Sequence, residues 1–201
     1  MSTKSTAIAQ SITHLAQGDI IAYPTDTLYG LGVDALNSEA IERLYELKDR
    51  NRKKPMSIMV QPDNWEKWAD SVTQSTKKLA DKFFPGPITL IMNASDNVPK
   101  ILTRFTNSTI GIRVPNHPAC LELLNTFTNP IITTSANISS EPVAKSPDEI
   151  VQTFGDGVSY ILDEGMRPGG IASTIIDVTN DEPLLLREGA IPEFAIWRTL
   201  K

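Results

Sequence analysis

Apolar positions along the chain switch repeatedly between a spacing of three to four and one of two or less, which predicts helices alternating with strands. Ala7, Ile8, Ile12, Leu15 and Ala16 recur at helical spacing, so a helix is expected from about Ser5 to Gln17 with Gly18 as its stop. Ile20 to Tyr23 form a β-branched strand, and residues 24–37, "PTDTLYGLGVDALN", are rich in turn formers. Ser38 can cap a helix in which Ile41, Leu44, Tyr45 and Lys48 share a face. A short strand is expected at 57–60, then a helix over 73–84 stopped by "PGP" at 85–87. Strands follow at 88–93, 109–114 and 131–134, the last two separated by a helix over 118–127 that turns Leu121 and Leu124 inward. Ser146-Pro147-Asp148-Glu149 joins a capping box to a proline at the first helical position. Strands near 158–162, 173–178 and 184–187 complete the sheet, and 192–201, "PEFAIWRTLK" from Pro192, are read as a tail. The pattern is α/β throughout, without repeat or linker.

Two hundred and one residues match one globular domain, expected to span 1–201, and 40% hydrophobic against 21% charged residues is ordinary for such a core. The longest apolar runs fall far below the roughly 20 residues that cross a bilayer, so a membrane protein is excluded. The N-terminus lacks a leader-like apolar run, and a lone cysteine, Cys120, makes no internal disulfide, so a cytoplasmic location is expected. A net charge of −5 gives the whole chain no basic footprint for nucleic acid. Cations are nevertheless concentrated at 48–54, "KDRNRKK", where only Asp49 is negative.

Several apparent motifs carry no chemistry. "GLGVDA" at 30–35 fits a dinucleotide fingerprint, but Pro24 to Tyr29 separate the strand from Gly30 and no helix starts at the glycines. No P-loop is present, and the two histidines, His14 and His117, belong to no cluster with metal-ligand spacing, so no metal site is expected. Cys120 sits on the apolar face of its helix, as a core thiol does.

A different set converges. The basic heptad could serve a helix dipole or be solvated, but "PTDTLYGLG" places Thr25, Asp26, Thr27 and Tyr29 just after a buried strand, where open α/β sheets bind ligands. "TIGIRVP" puts Arg113 inside a strand suited to burial, and a buried cation needs an anionic partner. "TTSAN" at 133–137, Ser173, Thr174 and Arg187 add hydroxyls, an amide and another cation. Together they describe one polar, cationic cleft in an acidic protein.

"AYPTDTLYGLG", the K-x-R of Lys48 and Arg50 followed by Lys54, "FPGPITLI", "TIGIRVPNHP", the S-x-N of Ser135 to Asn137, and "STIID" resemble the YrdC-type threonylcarbamoyl-AMP synthases over about residues 6–190, in the right order. The resemblance implies a twisted, mixed parallel/antiparallel sheet flanked by helices around a large positive cavity. It also implies conversion of L-threonine, bicarbonate and ATP to threonylcarbamoyl-AMP and pyrophosphate, with Mg²⁺ accompanying ATP. The product would serve threonylcarbamoyl modification of tRNA through separate transferase proteins, with weak or indirect tRNA binding by this chain.

By the same resemblance, Arg50, Lys54, Thr109, Ser135 and Arg187 would contact ATP, and Thr27, Arg113, the Thr133 backbone and Ser173 would meet threonine. Lys48, Arg50, Ser135 and Asn137 are candidates for catalysis, and no residue stands out as a general base. Asp49, Asn51, Met59 and Glu141 depart from residues common in the family: glycine, proline, a histidine in some threonine sites, and glycine. Two alternatives stay open. One is a double-stranded RNA or tRNA binding module without catalysis; the other is the carbamoyl-adenylating domain of hydrogenase maturation, which normally sits in a much longer chain.

Overall fold

A computed structural model describes residues 3–167 and 170–201, with side chains from Ser5 onward. Gly169, at the start of "GGIASTIID", lies outside the described residues. In chain order the elements are α1 (Thr3–Ala16), β1 (Ile21–Pro24), β2 (Tyr29–Gly32), α2 (Ser38–Leu47), β3 (Ser57–Met59), α3 (Gln74–Phe83) and β4 (Ile88–Asn93). There follow α4 (Lys100–Thr103), β5 (Thr109–Arg113), α5 (Pro118–Thr126), β6 (Ile131–Ser135), α6 (Pro147–Phe154), β7 (Tyr160–Ile161), β8 (Thr174–Asp177), β9 (Leu184–Arg187) and α7 (Glu193–Leu200). The strands form one sheet in the order β7-β1-β2-β6-β3-β5-β4-β8-β9. Its pairing is mixed: β7/β1, β3/β5 and β4/β8 are parallel and the other neighbours antiparallel.

Most helix ends behave as their caps dictate. Thr73 Oγ1 accepts from Thr76 N at 3.1 Å and Ser146 Oγ from Glu149 N at 3.2 Å. Glu149 completes its box one residue early, accepting from Lys145 N at 2.7 Å. Asn37, not Ser38, caps α2, its Oδ1 accepting from Ala40 N at 3.0 Å. On α5 the inward residues are Cys120, Leu123 and Leu124, and Leu121 is only half-buried.

Two larger differences concern packing that local pattern does not show. Residues 29–32, inside the turn-rich stretch, form β2, hairpinned to β1. A Cβ on Gly32 would come 2.5 Å from Ile132 O and 2.8 Å from the Tyr23 ring. That glycine is there because backbone and ring crowd it, not because the chain turns. Residues 193–200 form α7, which lies on α3 with Ile196 fully buried and Lys78 Nζ donating to Leu200 O at 3.1 Å.

The two sheet faces are treated unequally. Ala22, Leu31, Ile58, Leu90, Ile112, Ile132 and Ile176 point to one face and join the larger core with α2, α3, α6 and α7. On the other face Ile21, Tyr23, Met59 and Ile131 pack beneath α1 and α5 as a smaller core. The remainder of that second face is open.

Candidate active site

The open part of the second face is a cleft of about 310 Å³. Its floor comes from alternate residues of neighbouring strands: Ser57 of β3, Thr89 of β4, Arg113 of β5, Thr133 and Ser135 of β6, and Arg187 of β9. Thr25, Thr27 and Tyr29 form one wall, Arg50 and Pro55 another, and Ala172 and Ser173 a third. Among the described residues three guanidinium groups face this space and no carboxylate lines it. The lining is cationic although the chain carries a net charge of −5.

Arg113 has the acidic partner its burial demands. Its Nη2 donates to Asp26 Oδ1 and, at 3.0 Å, to Thr27 Oγ1, and Asp26 Oδ2 accepts from Asn116 N at 3.3 Å. Thr25 shapes that loop: its hydroxyl donates to Leu28 O at 2.7 Å and accepts from Thr27 N at 3.1 Å. Arg113 Nε is buried with no hydrogen-bond partner. A guanidinium with one edge paired and a donor left over is suited to a planar anion such as a carboxylate.

Arg187 lies against Ser173. Its Nε and Nη2 donate to Ser173 O at 3.1 and 2.7 Å, and Nη2 reaches Ser173 Oγ at 3.3 Å. Burial, then the nearby Arg113 charge, holds the Arg187 pKa below its ordinary value. At the end of β8, buried Thr174 donates to Ile191 O at 2.7 Å and accepts from Gly189 N and Ile191 N, fixing the turn after Arg187.

Beside the cleft, Lys48 ends α2 fully buried, and among the described residues it has no carboxylate partner. Its Nζ donates to Ser135 O at 2.5 Å, Asn137 O at 2.6 Å and Asn137 Oδ1 at 3.2 Å. Ser135 Oγ donates to Asn137 Oδ1 at 2.6 Å, and Asn137 Nδ2 donates to Glu141 O at 2.7 Å. The K-x-R lysine is thus a strut that shapes the S-x-N turn. Burial, then the Arg50 charge, lowers the Lys48 pKa from 10.5 to about 7. Arg50 closes its own loop, Nε donating to Lys54 O at 3.0 Å and Nη2 to Pro55 O at 2.8 Å.

The cleft therefore gathers Thr27, Arg50, Arg113, Thr133, Ser135, Ser173 and Arg187. Lys48 and Asn137 stand behind its wall. Lys54 is exposed and outside the lining, and Thr109 Oγ1 is turned to Thr106 O at 2.8 Å. Asp26, Ser57 and Thr89 are among the residues at the cleft that the sequence reading left without a role. The requirement that buried Arg113 find an anion could have singled out Asp26, whereas a threonine within a strand does not show which hydroxyl it meets.

The family departures also find places. Asp49 is exposed at φ 46°, the left-handed position just past α2 where glycine is at ease, so its carboxylate stays off the lining. Met59 is buried in the smaller core. Glu141 is exposed, and the left-handed residue of its turn is Ser140, at φ 74°. Cys120 is a core thiol: its Sγ donates to Pro24 O at 3.1 Å and burial pushes its pKa up.

Residues 163–167 are tied to the Tyr29 side of the cleft, and Ala172 and Ser173 line it. Tyr29 OH donates to Gly165 O at 2.9 Å and accepts from Glu164 N at 3.2 Å, while Arg167 contacts His117 Nε2 and, at 3.2 Å, Glu164. A Cβ on Gly170 would fall 2.0 Å from Thr27 O, so only glycine lets this segment lie so close.

A family model described as "Telomere recombination" (Sua5/YciO/YrdC) matches residues 13–189. The chain is 40% identical over 185 residues to the threonylcarbamoyl-AMP synthase of Pseudoalteromonas translucida, covering 90% of this chain and 97% of that protein. It is 35% identical over 179 residues to the threonylcarbamoyl-AMP synthase of Pyrococcus abyssi, covering 89% of this chain and 52% of that protein. Pyrococcus abyssi Sua5 complexed with L-threonine superposes with a TM-score of 0.90 at 34% identity, over 96% of this chain and 56% of that one. Escherichia coli YciO does so at 0.84 and 28% identity, over 94% and 92%. The chain thus spans about half the length of the Pyrococcus proteins and nearly all of the Pseudoalteromonas one.

Proposed function

The chain belongs to the Sua5/YciO/YrdC family, and from that membership we propose that it is a threonylcarbamoyl-AMP synthase, a nucleotidyltransferase that converts L-threonine, bicarbonate and ATP to threonylcarbamoyl-AMP and pyrophosphate. The observation that carries this reading is the cleft, in which three guanidinium groups and several hydroxyls converge without a carboxylate in the lining.

Arg113, with its unpaired Nε, takes the threonine carboxylate, and Thr27, the Thr133 backbone and Ser173 surround the amino acid. Arg50 and Arg187 take the phosphates, and Ser135 meets the α-phosphoryl group by turning its hydroxyl proton away from Asn137 Oδ1 once the nucleotide is bound. Lys54 and Thr109 would meet only parts of the nucleotide that extend beyond the lining. Lys48 and Asn137 act by holding Ser135.

The threonine amine adds to carbon dioxide derived from bicarbonate and releases a proton, giving a carbamate. A carbamate oxygen then attacks the α-phosphorus, and the bond to pyrophosphate breaks. No protein nucleophile is needed. Catalysis rests on aligning two bound reactants and stabilising the phosphoryl centre.

Mg²⁺ enters this reading as the counterion of ATP and neutralises phosphate charge. Among the described residues no group of three His, Cys, Asp or Glu is gathered that could hold a metal ion. The adenylate would pass to separate tRNA threonylcarbamoyl transferase proteins in the cytoplasm. Among the described residues no helix is long and apolar enough to cross a membrane.

Pyrophosphate release tests the proposal. It is expected only when threonine, bicarbonate and ATP are present together. RNA binding without turnover would overturn it in favour of a binding module. With unmodified tRNA added, mass spectrometry of the digested RNA is expected to show no threonylcarbamoyladenosine, and any RNA binding should be weak and fall steeply with salt.

A further inference from the structure

Thr89 is a polar side chain on the cleft floor to which the proposed function assigns nothing. It lies in the centre of β4, paired on one side with β5 and on the other with β8, and is 4% exposed. Its Oγ1 lies 3.0 Å from Ser173 Oγ, and among the described residues it has no other hydrogen-bond partner.

The direction of that bond follows from counting protons. If Ser173 donated to Thr89, the Thr89 proton, on a side chain only 4% exposed at the cleft floor, would have no protein acceptor among the described residues, which is costly. Thr89 therefore donates to Ser173. Ser173 Oγ also faces the Arg187 Nη2 donor at 3.3 Å. A hydroxyl has two lone pairs and one proton, so these donors fill both lone pairs and leave the Ser173 proton for the cleft.

We propose that Thr89 is a positioning residue for amino-acid recognition: by donating to Ser173 it makes the Ser173 hydroxyl a dedicated donor, aimed at an acceptor oxygen of the bound amino acid. This rests on the reading of the cleft as a threonine site. Thr89 acts through Ser173, the only hydrogen-bond partner of its hydroxyl among the described residues. It acts by removing the alternative orientation in which the serine proton would point away from the cleft, and the same Arg187 that holds Ser173 joins this corner to the phosphate-binding side.

Calorimetric titration of the full chain with L-threonine, and separately with ATP, tests this in the unsubstituted protein and in Thr89→Val, Thr89→Ala and Thr89→Ser. Valine keeps the volume and removes the hydroxyl, alanine only removes, and serine restores it. Thr89→Val and Thr89→Ala are expected to bind threonine roughly three- to tenfold more weakly, with ATP affinity within about twofold of normal and Thr89→Ser near normal for both ligands. In turnover the loss should fall on KM for threonine and leave kcat in place. Normal threonine affinity in either hydroxyl-free variant, equal losses for ATP and threonine, or a serine variant as weak as the valine one would overturn the proposal. Failure of the unsubstituted protein to bind threonine would instead overturn the proposed function, and this inference with it.

Discussion

Arg113 and Asp26 form an ion pair in which both side chains are about nine-tenths buried, and among the described residues the arginine's buried Nε has no hydrogen-bond partner. Among the described residues these charges are held by one another and by the Asn116 and Thr27 contacts.

Removing one partner should therefore cost more than removing a surface pair. Asp26→Asn is expected to destabilise the fold by about 3 to 5 kcal/mol in urea unfolding and to weaken threonine binding. In an Arg113→Met background the same change should cost far less, because no guanidinium is left uncompensated. Equal costs in the two backgrounds would refute the pairing as a stability determinant.

The two ends of the basic heptad should separate. Arg50 faces the cleft and Lys54 is exposed outside it. Arg50→Ala is expected to remove a charge-assisted phosphate contact of about 1.5 to 3 kcal/mol, and Lys54→Ala less than about 1 kcal/mol. ATP titration of both variants checks the order. A larger loss at Lys54 would place the triphosphate outside the cleft described above.

Much of this architecture is legible in the chain, and the misses share one cause. β4 coincides with its expected bounds because an apolar run follows "PGP" directly, and the cleft was visible as a convergence of hydroxyls and cations beyond strand ends. β2 was hidden because Gly30 and Gly32 look like turn residues until the Tyr23 ring is seen over them. Lys48 at a helix end looks like a dipole complement until the three oxygens around its Nζ are known. Thr89 falls within "FPGPITLI", but nothing in that stretch shows its hydroxyl meeting Ser173. In each case a contact distant in sequence decides the role.

The segment read as a tail yields its own test. Ile196 is fully buried in the larger core, while Phe194, two residues earlier on α7, is 70% exposed. Ile196→Ala is expected to cost about 2 to 5 kcal/mol and Phe194→Ala less than about 0.5 kcal/mol. Thermal or urea unfolding of the two variants distinguishes a docked helix from a loose terminus.

Lys48 links stability to pH in a direction opposite to that of a paired lysine. Its pKa in the folded protein is about 7, against 10.5 for the ordinary group. Below about pH 7 both folded and unfolded chains hold the proton, and the cost of burying the charge is borne in full. Between about 7 and 10.5 the unfolded chain binds more proton than the folded one, so stability rises with pH through that window. Lys48→Met removes the titration and exposes this contribution by difference, since groups elsewhere cancel. The stability of the unsubstituted protein relative to Lys48→Met should increase by about 2 kcal/mol between pH 7 and pH 9. The three oxygens left without Nζ lower the variant's stability by an amount that varies little with pH. Urea unfolding of both proteins at pH 6, 7, 8 and 9 gives the difference directly. A flat difference would mean that the three oxygen acceptors keep the ammonium charged throughout, and a falling one would reverse the sign derived from its burial.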